Sequence, residues 1–518
     1  MRSRTLVCIV VTTLSVLLAF TIRLGAQNPQ NHSRQHRRYK LIDIGTFGGP
    51  QSYVFDGYGF FAPKVLNNAG LLAGTADTSQ PDPFPNFCWN PDCFVAHTFR
   101  TEEDGDLSDL GALPGGGTSE PLGTSASGLI AGISENGQLD PLVPGFPVGR
   151  AVLWQNGSIT DLGVLEGGYE SQANGVNSKG EVAGVFTNAT PDANSMYGLG
   201  YQARAFFWQN GVMQDLGTLG TGTDAEAILI NERGQIVGWS YVSSAQIVCL
   251  TIQPITLATN SFIWDKEGGM RDLGGLGGMC TMAADLNNRG QVVGFSDLNG
   301  DAVQHAFLWD GSIHDLGGSL GGQQSGAFTV NDSGEAAGFA DLAGDTLYHA
   351  ALWKHAGMIT DIGVLGSDQC SYARSINANG QVVGTSVADC ATGSGVRPFL
   401  WDGGSIFDLN TLIPPGSPLV LQFAQNINDR GEIVAYGVDA SGNGRVALLI
   451  PCDEEHAGFQ GCDYDLVDAN LAASSGNTVV NHVYGPALMP APVRQRPRFD
   501  ISPEYRFNGP GRVVGPRN

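Results

Sequence analysis

The sequence predicts an all-β fold: an eight-bladed β-propeller of four-stranded antiparallel blades, closed by pairing of the N- and C-terminal strands. Three observations predict it. A three-part motif recurs eight times along the chain. The stretches between its parts carry strand and turn signals with no helical period. The two ends of the repeat region are complementary halves of one unit. Four short strands per repeat, at a spacing of 43 to 66 residues, is the arithmetic of a propeller blade.

The stretch Asp272–Gly317 holds every part of the motif. Its D-L-G element begins at Asp43 (as D-I-G), Asp109, Asp161, Asp215, Asp272, Asp315, Asp361 (D-I-G) and Asp408 (D-L-N). Its N-x-x-G element begins at Asn67, Asn177, Asn231, Asn287, Asn331, Asn377 and Asn428, with Ser125 in the Asn place of the second unit. Its aromatic-aliphatic element opens at His97, Arg150, Arg204, Asn260, His305, His349, Arg397 and Arg445. Spacing between units runs from 43 to 66 residues, and the differences lie in the loops.

Each unit reads as four strands. The A-F-L-W strand ends in a tight turn such as Asn156-Gly157 or Asp310-Gly311, a strong hairpin signal. The strand after it runs into D-L-G. A Gly-rich connector leads to a Ser/Ala-rich strand, such as Thr281–Asn287 or Ser371–Asn377. The N-x-x-G turn then leads into the V-V-G strand. Small side chains suit a crowded axis, so the Ser/Ala-rich strand is expected innermost. The chain enters on Tyr39–Gly45, a D-L-G strand with no A-F-L-W strand before it. It leaves on Gly444–Pro451, an A-F-L-W strand with no D-L-G strand after it. Pairing the two completes the last blade, with Tyr39–Gly45 outermost, and removes exposed sheet edges.

The flanks differ from the body. Residues 1–26 combine Arg2 and Arg4, an apolar run from Leu6 to Ile22 and a small-residue end at Gly25-Ala26, the pattern of a secretory signal peptide. Residues 27–38 are expected to be a linker and 39–452 the propeller. Residues 453–518, rich in Pro, Gly, Asn and Arg, are expected to form a disordered or loosely attached tail. Basic residues concentrate in these flanks, so the repeat region is more acidic than the net charge of −23. Such a surface excludes nucleic acid and anionic lipid as partners. Once the signal is removed, eight cysteines remain. In an exported chain they suggest disulfides, most simply Cys88–Cys93, Cys249–Cys280, Cys370–Cys390 and Cys452–Cys462, although spacing does not settle the connectivity.

Alternating strand direction sends the tight turns to one face. The Gly-rich connectors and the long variable loops (77–95, 136–148, 187–201, 241–259, 297–303 and 387–395) go to the other, which is where function on a rigid scaffold tends to reside. Two sets of side chains are candidates for binding. His97, Arg150, Arg204, His305, His349, Arg397 and Arg445 could address an anionic ligand as a ring of cations, or each could support the aspartate of its own unit. Asp297, Asn299 and Asp301, with Asp341 and Asp345, place oxygen ligands around Gly turns, which is Ca²⁺-like chemistry without the full ligand count of an EF-hand loop. Ca²⁺ is the one cofactor suggested. No catalytic motif stands in a suitable context, so no catalytic residue is assigned.

Together, D-L-G-x-L-G-G, I-N-x-x-G-Q-V-V-G and H-A-F-L-W, the last intact at His305-Ala306-Phe307, resemble the HAF repeat family of predicted bacterial extracellular proteins. The resemblance covers about residues 41–450 and departs from the family pattern at Ser125, Asn410 and the last unit, which lacks the Trp. It implies secretion and a repeat fold, and no activity or site residues. The expectation is a secreted, monomeric binding or scaffold module that meets an extracellular ligand through its loop-rich face. A polysaccharide-active hydrolase or lyase with a site at the axis is the alternative.

Overall fold

A computed structural model describes residues 35–468, apart from 55–63, 86, 89–91, 102–105, 166, 248–255, 318–319, 355–357, 455 and 457–461. The described residues are almost entirely strand, turn and loop; their one helix is a single turn, Leu409–Leu412. The main strands sort into eight four-stranded antiparallel units. Across each sheet the order is Ser/Ala-rich, V-V-G, A-F-L-W, then D-L-G. In the fifth unit these are Gly277–Leu286, Val292–Leu298, Gln304–Trp309 and Ile313–Asp315. Units one to four begin at Gly48, Ser119, Ser171 and Ala225, and units six to eight at Gly321, Cys370 and Val420. A single parallel bridge, Thr259 to Cys280, joins the sheets of units four and five.

Each motif has a local physical reason. Asn156-Gly157 and Asn210-Gly211 sit at positive φ (52° and 75°, 52° and 83°), as a two-residue hairpin turn matched to strand twist requires. In D-L-G the Asp Oδ1 accepts the amide two residues on, as from Gly111 (2.7 Å), Gly163 (2.8 Å) and Gly274 (2.8 Å). Asn410 replaces the Gly in the seventh unit, and there Asp408 caps the helical turn instead. In N-x-x-G the Asn Oδ1 accepts two amides: Asn287 takes those of Arg289 (3.0 Å) and Gln291 (2.9 Å).

The same asparagines join the units. The Asn287 Nδ2 donates to the Asn331 carbonyl (2.9 Å), Asn331 to Asn377, Asn377 to Asn428, and Asn428 to Asn67 in the first unit (3.0 Å). Asn67 donates to Ser125, and Asn177 and Asn231 to their successors. Ser125 has no side-chain amide, so the series skips one step; there the Ser127 backbone amide donates to Ser178 Oγ (3.1 Å). Asn287→Ala is therefore expected to leave two amides and a carbonyl short of partners at a buried site, costing about 2 kcal/mol. A lower urea midpoint at unchanged m value is the check; an unchanged midpoint refutes the role.

Apolar side chains fill the spaces between units. Leu129, Ala151 and Leu153 of the second pack with Ala173, Val182 and Phe206 of the third, and this repeats along the chain. It also occurs between the last and first units, where Val434, Val446 and Leu448 meet Leu72, Ala76 and Phe99. The Ser/Ala-rich strands touch one another from unit to unit: Asn174 Nδ2 donates to the Ala227 carbonyl and the Ile427 amide to Ser375 Oγ. They are the inner strands, as expected, and the architecture is that of a β-propeller.

Tyr39–Asp43 pairs antiparallel with Gly444–Pro451, from Tyr39 opposite Pro451 to Asp43 opposite Ala447, and is the outermost strand of the eighth unit. Ordered structure runs past the expected boundaries at 39 and 452. Gln35–Arg37, expected in a linker, pairs with Leu466–Asp468, expected in a loose tail. The Cys452–Cys462 bridge and an Arg38–Asp463 ion pair (2.9 Å) bring the chain back to make that contact. Cys88–Cys93 and Cys370–Cys390 are also bonded as expected. Cys280 is a disulfide cysteine, while Cys249 lies outside the described residues, as do the expected signal peptide and residues 469–518. No helix among the described residues is long and apolar enough to cross a membrane.

Candidate functional site

Nearly all the motif residues that open the A-F-L-W strands are engaged inside the body. His97 Nδ1 meets Asp109 (3.0 Å), His305 meets Asp315 (2.9 Å) and His349 meets Asp361 (2.9 Å), each in its own unit. Arg204 pairs with Asp215 (3.1 Å), and Asn260 donates to Asp272 (3.0 Å). Arg397 holds Asp408 (3.4 Å), Asp368 (2.8 Å) and the Leu365 carbonyl (2.7 Å). Arg445 contacts Asp439 (3.5 Å) and the Pro50 carbonyl. Arg150 stands opposite Ser134 in the same register, and its Nε makes no hydrogen bond among the described residues. Asp109, Asp215, Asp272, Asp315, Asp361 and Asp408 thus each join a turn amide to the neighbouring strand. A serine of the next inner strand completes the joint: Ser325 Oγ accepts from the Ala306 amide (3.0 Å) and donates to the Gly317 carbonyl (3.1 Å).

Asp109 and Asp361 are half-exposed. Burial acts to raise their pKa, but the His97 and His349 bonds and the turn amides outweigh it and hold both below the usual carboxylate value. A depressed folded pKa contributes stability above the unfolded value of about 3.9, and that contribution is lost as pH falls through the folded value. The melting temperature is therefore expected to drop below about pH 4. The combined His97→Ala and His349→Ala variant should show a shallower drop, worth at most about 1 kcal/mol because both pairs face solvent. An identical acid limb in the double variant would sink this assignment.

The two D-L-x-G-D turns form tight loops. Asp301 and Asp345 sit at φ 53° and 54° and accept the amides of Met279 (2.7 Å) and Gln323 (2.6 Å). Asp297 and Asp341 are buried at the start of each turn. Burial first, then the nearby Asp345, pushes the Asp341 carboxyl up to about 7 against the pull of the Gln324 amide. Asn299 is the residue after Leu298 in the first turn. Among the described residues no group of three or more Asp, Glu, His or Cys side chains is placed to hold a metal.

A different set of polar residues lies on the inner strands. Gln172 Nε2 donates to Asn174 Oδ1 (2.7 Å), and Asn174 Nδ2 donates to Glu226 Oε1 (2.8 Å) of the next unit. Glu120 on the second unit is buried like Glu226. On the seventh and eighth units Arg374 Nη2 donates to Gln425 Oε1 (3.1 Å). Lys64, in the first unit, reaches the fifth, four units away: its Nζ donates to the Leu286 carbonyl (3.0 Å) and lies 3.5 Å from Asp285 Oδ1. The inner strands run from the connectors down to the N-x-x-G turns, and Leu286 immediately precedes Asn287. The Lys64 strut therefore links these two units near the tight-turn face.

The chain matches no protein-family model and no curated protein by sequence. Among solved structures it is similar to Pyrococcus horikoshii acylaminoacyl peptidase (TM-score 0.37, 13% identity, 64% of this chain and 50% of that one). It is similar to the β-propeller domain of the Trilobed protease from Pyrococcus furiosus (0.37, 10%, 66% and 98%). It is also similar to Porphyromonas gingivalis dipeptidyl peptidase 4 (0.41, 8%, 66% and 53%). The chain spans about half the length of the first and third of these. At such low TM-scores these likenesses carry no argument, and the fold rests on the strand pairing above.

Sequence reasoning missed Glu120, Glu226, Arg374, Lys64 and Asp285. A signal was there. Lined up, the inner strands read SEPLGT, SQANGV, AEAILI, TMAADL, SGAFTV and SYARSI. Their first and third positions repeat as small residues. The polar residues occupy the positions that differ from unit to unit.

Proposed function

We propose that the eight units are the blades of one closed propeller, a secreted protein of HAF-repeat type, which binds an extracellular ligand at the axis from its loop-rich face. The observation that supports this most is the set of polar side chains on the inner strands: Glu120, Gln172, Glu226, Arg374 and Gln425, all buried, with the half-buried Asn174 among them. None of them recurs in every blade. Groups repeated in every blade, such as the D-L-G aspartates, hold the blade together; a group that varies from blade to blade, and is buried at some cost in desolvation, is where specificity resides. With the Lys64 strut near the tight-turn face, the ligand enters from the opposite, loop-rich face. Disulfides accord with an oxidising, extracellular setting, and the protein acts as a monomer without nucleic acid or membrane partners.

The second reading, a hydrolase or lyase acting on polysaccharide, draws on Glu120 and Glu226. They place two carboxylates on inner strands of different blades, and glycosidic chemistry uses a pair of carboxylates.

Retention of the exported protein on a panel of immobilised polysaccharides tests the first reading. Glu226→Gln and Arg374→Ala should each weaken retention at least tenfold, and His305→Ala should not. Release of new reducing ends, lost in Glu226→Gln, would replace the first reading with the second. No retention on any member, or retention indifferent to both axial substitutions, overturns the axial site.

A further inference from the structure

The long loop of the third unit meets the lead into the inner strand of the fourth, and Asp192, Ser195 and Asp224 lie at that junction. The loop closes on itself: the Asp192 amide donates to the Gly200 carbonyl (2.8 Å) and the Gly198 amide to the Ser195 carbonyl (3.0 Å). Asp192 Oδ1 accepts the Asn194 amide (2.7 Å). Asp224, which precedes the inner strand and is fully buried, takes hold of this loop through Oδ2, accepting the Met196 amide at 2.6 Å. Three oxygens are left over. Asp224 Oδ1, Asp192 Oδ2 and Ser195 Oγ are all shut off from solvent and make no hydrogen bond of good geometry among the described residues, although the Ala203 amide and the Thr223 hydroxyl lie near the Asp224 carboxyl. The two carboxylates lie close enough to interact: burial is the larger cause, and Asp192 the further one, that push the Asp224 carboxyl up to about 7 against its amide bonds.

Among the described residues no Lys, Arg or His figures among the groups that act on the Asp224 carboxyl. Between residues 187 and 224 the only Lys or Arg is Arg204, and it is engaged by Asp215. Buried carboxylate oxygens are retained when they are paired or bind a metal. The ligand atoms here are oxygens alone, which suits a hard cation and disfavours zinc or copper. They come from an irregular loop and a strand end, a setting that fits the flexible coordination of Ca²⁺ better than the strict octahedron of Mg²⁺.

We propose that Asp192, Ser195 and Asp224 form a Ca²⁺ site that fastens the 187–201 loop to the fourth unit. The site is separate from the D-L-x-G-D turns and from the axis. Backbone carbonyls and water would complete the coordination shell.

The test uses the exported full chain and two readouts. Thermal melting is followed in EGTA and in millimolar Ca²⁺. Tb³⁺ luminescence, sensitised by the adjacent buried Tyr197, reports binding directly. The wild-type protein should melt higher in Ca²⁺, because a ligand bound only by the folded state stabilises it. Ca²⁺ should also displace Tb³⁺. Asp192→Asn and Asp224→Asn should each weaken Tb³⁺ binding at least tenfold. Ser195→Ala keeps both charges, so it keeps the site measurable if an aspartate variant fails to fold; a loss of several-fold is expected. Asp341→Asn should leave binding intact. The proposal is overturned if the wild-type melt is indifferent to Ca²⁺, if binding survives all three substitutions in the loop site, or if Asp341→Asn is the change that removes it.

Discussion

A chain lacking residues 1–45 is expected to lose its cooperative melt. The deletion removes Tyr39–Asp43, the outer strand of the eighth unit and its pairing with Gly444–Pro451. Tyr39 is buried in a cluster with Phe407, Leu409, Leu412 and Leu449, so the loss reaches the packing between the seventh and eighth units. Burying one large side chain is worth about 2–3 kcal/mol. About four ladder hydrogen bonds add about 1 kcal/mol each. A loss near 6 kcal/mol is comparable to the whole stability of an ordinary domain, about 5–15 kcal/mol. The effect is larger in a propeller than in an open repeat array, because the eighth unit also carries the contacts to the first through Val434, Val446 and Leu448. Far-UV circular dichroism through a urea titration is the check. A single transition at the wild-type midpoint would show that the N-terminal strand is dispensable.

Gly238→Ala is expected to cost about 3 kcal/mol, at the upper end for overpacking. A Cβ at this position would stand 2.6 Å from the Phe262 ring and closer still to the Glu226 carbonyl. The carbonyl is close because the inner strand bulges between Ala227 and Leu229. Phe262 is fully buried directly across the ladder and has nowhere to move. The eighth unit supplies the internal control. There Ala435 takes the glycine's place, and the residue opposite is Ala447 in place of Phe. Adding Phe262→Ala to Gly238→Ala should therefore cost less than the sum of the two single changes, which a double-mutant cycle in urea measures. Strict additivity would mean that the ring is not the obstacle.

Much of the architecture could be read from the chain because a propeller repeats its chemistry. D-L-G, N-x-x-G and the A-F-L-W run each satisfy a need that arises in every unit: a capped turn, a turn that reaches the next unit, and a strand that fills the space between sheets. Eight copies make those needs visible against variation. The pairing of Tyr39–Asp43 with Gly444–Pro451 was legible for the same reason, since each end is a recognisable half of a known unit. The ordered segment at Leu466–Asp468 was not legible, because its composition resembles a loose tail and only the Cys452–Cys462 bridge and Arg38 make it part of the body.

The candidate sites divide differently. His97, His305 and His349 drew attention as a recurrent cationic set, but recurrence is a property of what every blade requires, and each is spent on its own aspartate. Glu226 and Arg374 stand in positions that look like random variation in a single strand. Asp224 and Asp192 are 32 residues apart in the chain, and Lys64 and Asp285 belong to units four places apart. By itself the sequence determined the strand periodicity, the turn chemistry, the closure of the last unit and three of the disulfide pairings now seen. These are set by neighbours along the chain or by repetition. The tertiary structure alone decided which polar groups of different inner strands meet, that Lys64 of the first unit reaches the fifth, and that Asp192, Ser195 and Asp224 from two units lie together at the 187–201 loop. Those contacts depend on how inner strands from separate units are brought together, and a pairing made once leaves no period in the sequence to reveal it.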